Sequence, residues 1–197
     1  MYTHSLHIKI PVERVGVLIG SEGQVKEGIE KKLGLKIIID SQTGDVSLVS
    51  MGADPSLLLR ARDIVLAVGR GFSPEKAIRL LDEDFNLCII DLREIFRTIS
   101  DIQRVKSRII GKNGKTRRIL EEETGTRLSI YGHTIGIIGD IEHLYVAREA
   151  VQMLIRGSLH STVYRYLNRK RNDLRKVEME LWKSPPDVTN KVKKKNV

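Results

Sequence analysis

The chain has 197 residues, 41% of them apolar, with a net charge of +9 and a pI of about 9.7. That length suits one large domain or two small ones, and the apolar share suits ordinary globular cores. A single cysteine, Cys88, excludes an internal disulfide framework and a cysteine-based zinc site and fits a reducing cytosol, no apolar run is long enough for a membrane span, and "MYTHSLHIKIPVERV" lacks the apolar stretch of a signal peptide.

In chain order, "LHIKIP" alternates and is β-branched, which predicts a strand. "VERVGVLI" predicts a short helix running into Gly20. After Gly23, "QVKEGIEKKLG" places Val25, Ile29 and Leu33 at helical spacing, with Gly34 as its stop. "LKIIID" and "DVSLVS" predict strands joined by the turn "SQTG", and Pro55 to Val68 an amphipathic helix. Ser73-Pro74-Glu75 reads as a helix start, Ser at the cap and Pro in the first turn, bracing one half against the other. The order then recurs. "LCIIDL" is a strand, and a helix capped by Ser100 or Asp101 reaches Ile110. "KTRRILEEETG" is the helix after the loop, with Ile119 on its apolar face. "RLSIYG" and "TIGIIG" form a hairpin, and Ile141 to Ile155 a helix. A basic helix and the tail "SPPDVTNKVKKKNV", read as mobile, close the chain.

The recurrence is an internal duplication. Gly20, Gly23 and Gly34 map onto Gly111, Gly114 and Gly125 at an offset of 91, and Asp54 and Arg70-Gly71 onto Asp140 and Arg156-Gly157 at an offset of 86. The second copy is therefore five residues shorter between these blocks, a difference that a loop can absorb. Charge separates the copies. Met1 to Asp84 hold 11 Lys+Arg and 12 Asp+Glu; Phe85 to Val197 hold 23 and 13. Between Ile102 and Leu120 there are seven basic residues and no acidic one.

A G-x-x-G linking two short helices brings the second helix's amino terminus to the surface, where its first amides lack intrahelical partners and the dipole is positive. Glycine leaves no Cβ to obstruct a phosphate. Lys112 and Asn113 project from the second loop, Arg108 precedes it, and Lys115, Arg117 and Arg118 follow in the next turn. Ile109-Ile110 and, opposite, Leu128 and Ile130 are read as groove walls for unstacked bases, an arrangement for single strands rather than duplex.

This pattern resembles the KH module, whose G-x-x-G loop clamps the backbone of about four nucleotides. The order after the loop (helix, hairpin, helix) matches type I. The implied fold class is α+β, two tandem type I KH domains with a basic C-terminal helix and tail: residues 1–84, 85–181 and 182–197. The linker "GFSPEKAIRLLDEDFNLCIIDLRE" and the stretch "MLIRGSLHSTVYRYLNRKR" are similar to the KH-containing small-ribosomal-subunit assembly factors, the partner-of-Nob or dimethylase-interacting family. That resemblance implies binding near the 3′ end of small-subunit rRNA and no catalysis; the residues themselves lead to the expectation of no cofactor or metal and of a cytoplasmic protein. The resemblance also implies two partners: the rRNA-processing endonuclease of the Nob family and the alpha subunit of initiation factor two. Absence of a long N-terminal extension favours the archaeal type.

The first loop, Gly20-Ser21-Glu22-Gly23, places a carboxylate where the second offers cations, so the second copy is expected to carry most phosphate affinity. The first is read as a weaker RNA site, a protein site, or retained fold geometry. Arg165, Arg169, Lys170, Arg171, Arg175 and Lys176 on the C-terminal helix form either a solvated face or an auxiliary RNA surface. Tyr131 is read as a packing residue or a base-stacking one. His4, His7, His133, His143 and His160 show no metal-ligand spacing, Cys88 has no nucleophile's partners in view, and there is no P-loop. The competing functions are a docking scaffold that recruits a nuclease or initiation factor, and an RNA-binding subunit of an RNA-degrading complex.

Overall fold

The structure, a computed structural model, describes residues 4–50, 52 and 54–183. The first half of the chain forms β1 (Ser5–Lys9), α1 (Val12–Ile19), α2 (Gln24–Leu33), β2 (Leu35–Ile39), β3 (Asp45–Ser50) and α3 (Pro55–Gly69). A short helix α4 (Pro74–Ala77) and a 3-10 turn (Ile78–Leu81) lead into the second half. There follow β4 (Phe85–Asp91), a 3-10 turn (Leu92–Glu94), α5 (Ile99–Ile110), α6 (Lys115–Thr124), β5 (Arg127–Tyr131), β6 (Thr134–Asp140), α7 (Ile141–Ile155) and α8 (His160–Lys183). The last helix runs two residues into the stretch read as a tail; residues 184–197 of that tail lie outside the described residues.

Each half is a three-stranded antiparallel sheet packed by helices. The orders are β1-β3-β2 and β4-β6-β5, so the third strand of each copy lies between the other two. Register follows the apolar face: Ile37 opposes Leu48, and Leu128 opposes Ile137. The first core gathers Leu18, Ile29, Ile37, Leu48, Ile64 and Val65; the second gathers Val105, Ile109, Leu120, Leu128, Ile135, Ile137 and Val151. Val163 and Leu167, one helical turn apart on α8, are fully buried in the second core. The basic helix is thus an integral layer of the second unit.

Equivalent atoms repeat. The Glu30 carboxylate accepts from the Ile37 N–H at 2.7 Å, and Glu121 accepts from Leu128 at 2.8 Å, each tying the helix after the loop to the next strand. Asp54 and Asp140 cap the last helix of each copy. The five-residue difference divides between two connections. Six residues separate Ile39 from its partner Val46, and four separate Ile130 from Ile135; seven separate Val46 from Asp54, and four separate Ile135 from Asp140.

Of two expectations about caps, the one for α5 is corrected and the one that places Ser73 at the start of α4 holds. α5 begins three residues before Ile102, and its cap is Thr98, whose hydroxyl accepts from the Asp101 N–H at 3.1 Å and donates to the Asp101 carboxylate at 2.6 Å. Ser100 and Asp101 lie inside the first turn, which projects beyond the core and so carries little apolar signal. Ser73 stands at the cap position of α4, but its hydroxyl makes no cap bond; it engages Glu75 and holds that carboxyl below its ordinary range.

The halves pack closely. β3 alternates between buried and more exposed residues, whereas all of β6 except Asp140 is buried, on both faces. Its outer face is covered by the first unit: a Cβ at Gly136 would lie 2.6 Å from the Phe72 ring, and Ile138 joins the first core beside Ala77 and Leu80. Phe72 is fully buried, worth about 1.5–3 kcal/mol of apolar transfer. Ser129 donates to the Arg70 carbonyl at 2.8 Å, and within the first half Arg14 holds the same segment by donating to the carbonyls of Val68 and Phe72. The Tyr131 hydroxyl donates to Glu13, and the Arg14 guanidinium sits 5.7 Å from the Tyr131 ring centre. Of the two readings of Tyr131, the structure selects packing between the halves.

Candidate nucleic-acid interface

Both glycine loops fold alike. In the second, Gly111 (φ 72), Asn113 (φ 53) and Gly114 (φ 73) turn the chain sharply between α5 and α6, and the Gly114 N–H returns to the Gly111 carbonyl at 3.2 Å. Gly111 is sterically required. A Cβ there would lie 2.2 Å from Thr116 Oγ1 and 2.8 Å from the Thr116 amide. Because α6 has Gly114 at its cap position and no side-chain cap, its first amides stay open to an anion.

The cations divide into two groups. Lys112, Lys115 and Arg118 are exposed, their side chains make no ion pair or hydrogen bond among the described residues, and Asn113 is exposed beside them. Arg108 and Arg117, expected to reach RNA, are committed elsewhere. Arg108 donates to the Ser158 carbonyl at 2.6 Å, and Arg117 faces Glu121 at 3.6 Å. The groove walls are corrected in the same way. Ile109 repeats Val105 four residues on and is fully buried, as is Leu128, whose side chain lies on the helix-facing side of β5. Neither side chain is accessible, whereas Ile110 is exposed and Ile130 half-buried.

Helix α8 backs this loop. His160 Nε2 donates to the Arg108 carbonyl at 3.0 Å, Tyr164 and Thr116 hydroxyls meet at 3.1 Å, and Arg171 donates to Glu123 at 3.0 Å. Arg171 therefore belongs to a structural pair. Arg165 and Arg169, one turn apart, are exposed and with Tyr166, Met153 and Thr162 line a cavity of about 390 Å³; Lys170 is half-buried. Arg175 and Lys176 are exposed.

In the first loop, Ser21 and Glu22 occupy the exposed positions of Lys112 and Asn113, with Glu22 at φ 50. Lys26, the counterpart of Arg117, faces Glu30 at 4.0 Å. The backbone of the site is duplicated and its charge is not.

Sequence reasoning missed a second cavity, of about 520 Å³, where the amino-terminal part of α5 faces the β5–β6 turn. It is lined by Arg93, Phe96, Arg97, Ile99, Ile102, Gln103, Lys106, Gly132 and His133. The available signal was "LREIFRTISD", basic and aromatic residues interleaved between strand and helix. Burial pushes His133 below its ordinary value, with Asp91 opposing and Arg93, Arg70 and Lys106 reinforcing the shift. Burial also acts to raise Asp91, but hydrogen bonds from Arg93 outweigh it and its pKa is lowered. Burial pushes the Cys88 thiol up, away from the nucleophilic range. Among the described residues there is no cluster of three or more His, Cys, Asp or Glu able to hold a metal, and no helix long and apolar enough to cross a membrane.

Comparison with known proteins agrees with this architecture. Residues 5–67 match the KH domain, and residues 86–172 match the eukaryotic type KH domain, KH-domain type I. The chain is 44% identical over 191 residues to the KH domain-containing protein MJ0443 of Methanocaldococcus jannaschii, covering 96% of this chain and 84% of that one. It is 30% identical over 165 residues to the pre-rRNA-processing protein PNO1 of Saccharomyces cerevisiae, covering 81% of this chain and 60% of the longer yeast protein. The crystal structure of Dim2p from Pyrococcus horikoshii superposes with a TM-score of 0.79 at 49% identity, covering 84% of this chain and 99% of that one. The Dim2p chain in the a/eIF2alpha-aDim2p-rRNA complex of the same organism superposes at 0.82 and 48% identity, covering 87% and 96%.

Proposed function

The chain belongs to the two-KH-domain PNO1/Dim2 family, archaeal type, and on that premise we propose that it binds single-stranded RNA at the 3′ region of small-subunit rRNA during ribosome assembly. The observation that carries this reading is the second loop: three unpaired cations around an uncapped helix amino terminus. Phosphates bind at Gly111 to Gly114, Lys112, Lys115 and Arg118, while bases lie between Ile110 and Ile130. The chain acts without catalysis, in the cytoplasm, with working units 1–84 and 85–181 and a basic tail 182–197.

Its partners are the alpha subunit of initiation factor two, present with the Pyrococcus relative and rRNA in one complex, and the rRNA-processing endonuclease of the Nob family. Glu22 favours a second role for the first unit, docking protein rather than RNA.

The test is binding of a labelled single strand from the rRNA 3′ end, against a scrambled control, across a salt series. Lys112→Asp with Asn113→Asp abolishes specific binding and flattens the salt slope by about 0.7–1.4, one to two phosphates' worth for a single strand. The first loop is probed by Glu22→Lys. Gly20 is unsuitable, because at φ 75 a Cβ would also lie 2.5 Å from Val25. A folded second-loop variant that binds as tightly as the parent rejects the clamp and leaves the docking role. That role is tested by partner affinity that depends on the first unit and survives high salt.

A further inference from the structure

Resting on the reading of the second unit as the RNA-binding one, we propose that the cavity beside Phe96 is a second nucleotide subsite. It takes a base and phosphate of the same single strand beyond those held at the glycine loop.

Three observations carry this. The first is continuity. Ile99, Ile102, Lys106 and Ile110 recur every three or four residues and share one face of α5, which ends at Gly111. One stripe therefore runs from the loop to the cavity, and from Ile102 to Gly111 it covers about 13 Å at 1.5 Å per residue. The opposite wall is also continuous, from Ile130 to Gly132 and His133, and Lys106 donates to the Gly132 carbonyl at 2.7 Å across the cavity.

The second is chemistry. The lining carries the cations Arg93, Arg97 and Lys106, the rings of Phe96 and His133, and no carboxylate. Asp91, behind it, is already engaged by Arg93 at 3.1 Å. Cations that track a backbone beside rings on which bases stack are what a single strand recognises. Ile99 is 79% exposed and Ile95 51%, an apolar margin that the fold itself does not use.

The third is duplication. The Ile10 N–H donates to Gly44 and the Leu92 N–H to His133, both at 2.9 Å, so these residues are equivalent anchors. Nine residues separate Ile10 from Gly20, whereas eighteen separate Leu92 from Gly111. The additional residues build the cavity, and they occur in the copy whose glycine loop is cationic.

The experiment compares strands of about four and about eight nucleotides, the shorter matching one KH footprint. The parent protein binds the longer strand about tenfold more tightly, roughly the effect of one stacked base. Phe96→Ala and Arg97→Glu each remove most of that advantage and leave the affinity for the short strand unchanged. Arg97 is exposed and unpaired among the described residues, so its variant carries the test if Phe96→Ala does not fold. The subsite is rejected if both variants keep the length advantage, or if the parent shows none; the margin of Ile95 and Ile99 would then belong to a protein contact. Failure of the clamp itself is distinguishable, since Lys112→Asp with Asn113→Asp would then leave both strands bound.

Discussion

Gly20–Gly23 and Gly111–Gly114 turn through nearly the same angles, with Glu22 at φ 50, ψ 25 and Asn113 at φ 53, ψ 32. Asparagine tolerates that left-handed region; glutamate there costs about 1 kcal/mol and repels phosphate. The two copies agree at atoms that hold the fold together, such as Glu30 with Glu121 and Asp54 with Asp140. They diverge where side chains meet solvent. Loop geometry is therefore a poor guide to binding by itself; the charge on its two central residues distinguishes the copies.

Exchanging the central residues tests this most directly. Lys112→Ser with Asn113→Glu gives the second loop the first loop's chemistry on an unchanged backbone, and RNA affinity measured by fluorescence anisotropy falls about 100-fold at low salt. Retained affinity would mean that charge is not what separates the copies.

The sheets can be set against each other in the same way. Ser47 and Gly136 are equivalent positions on the outer faces of β3 and β6, one half-exposed and the other beneath Phe72. Gly136→Val destabilises by about 1–3 kcal/mol in denaturant unfolding, as overpacking does. Ser47→Val stays within about 0.5 kcal/mol, as an uncovered site allows.

The shared brace sharpens the comparison from the other side. Glu30→Ala and Glu121→Ala each leave a strand amide without its acceptor and cost about 1 kcal/mol, near the lower end for a partly buried group. Equal losses would show the brace to be a common inheritance; a loss in one copy alone would show that it has drifted.

Mild acid should separate the two hairpin turns by the smallest effect. His133 is depressed below 6.5, so the unfolded chain takes up the proton first. Its contribution is complete above that value and is lost as pH falls through the folded one. Asp40, in the first copy's turn, is lowered by hydrogen bonds from the Gln42 amide and Thr43 and titrates only at far lower pH. Amide protection, corrected for the intrinsic pH dependence of exchange, therefore falls between pH 7 and 5 at the second turn and not at the first, and His133→Gln abolishes the response.

Much of this molecule was legible because its elements are local. Val12–Ile19 and Ile141–Ile155 have the bounds that their apolar spacing predicts, and the duplicated glycines locate the loop. The misreadings concern long-range contacts. Nothing near Arg108 announces Ser158, fifty residues on, and a periodic pattern names the apolar residues without saying whether Ile109 or Ile110 faces the core. Tyr131 could not be assigned without Glu13 and Arg14. One long-range fact was written locally: "TIGIIG" does not alternate with polar residues, as expected of a strand covered on both faces. The Phe96 cavity escaped because Arg93, Phe96 and Arg97 lie in a connection that follows no period, and because the cavity closes only against Gly132 and His133, far along the chain.

The contact of Phe72 with Gly136 bears on inheritance. Duplicate modules begin as independent passengers, each free to decay or be lost. Once the first came to shelter the second's central strand, deleting it would have stripped its neighbour's apolar surface. The sequence of the first loop could then wander as far as Glu22 while selection still preserved the body that carries it.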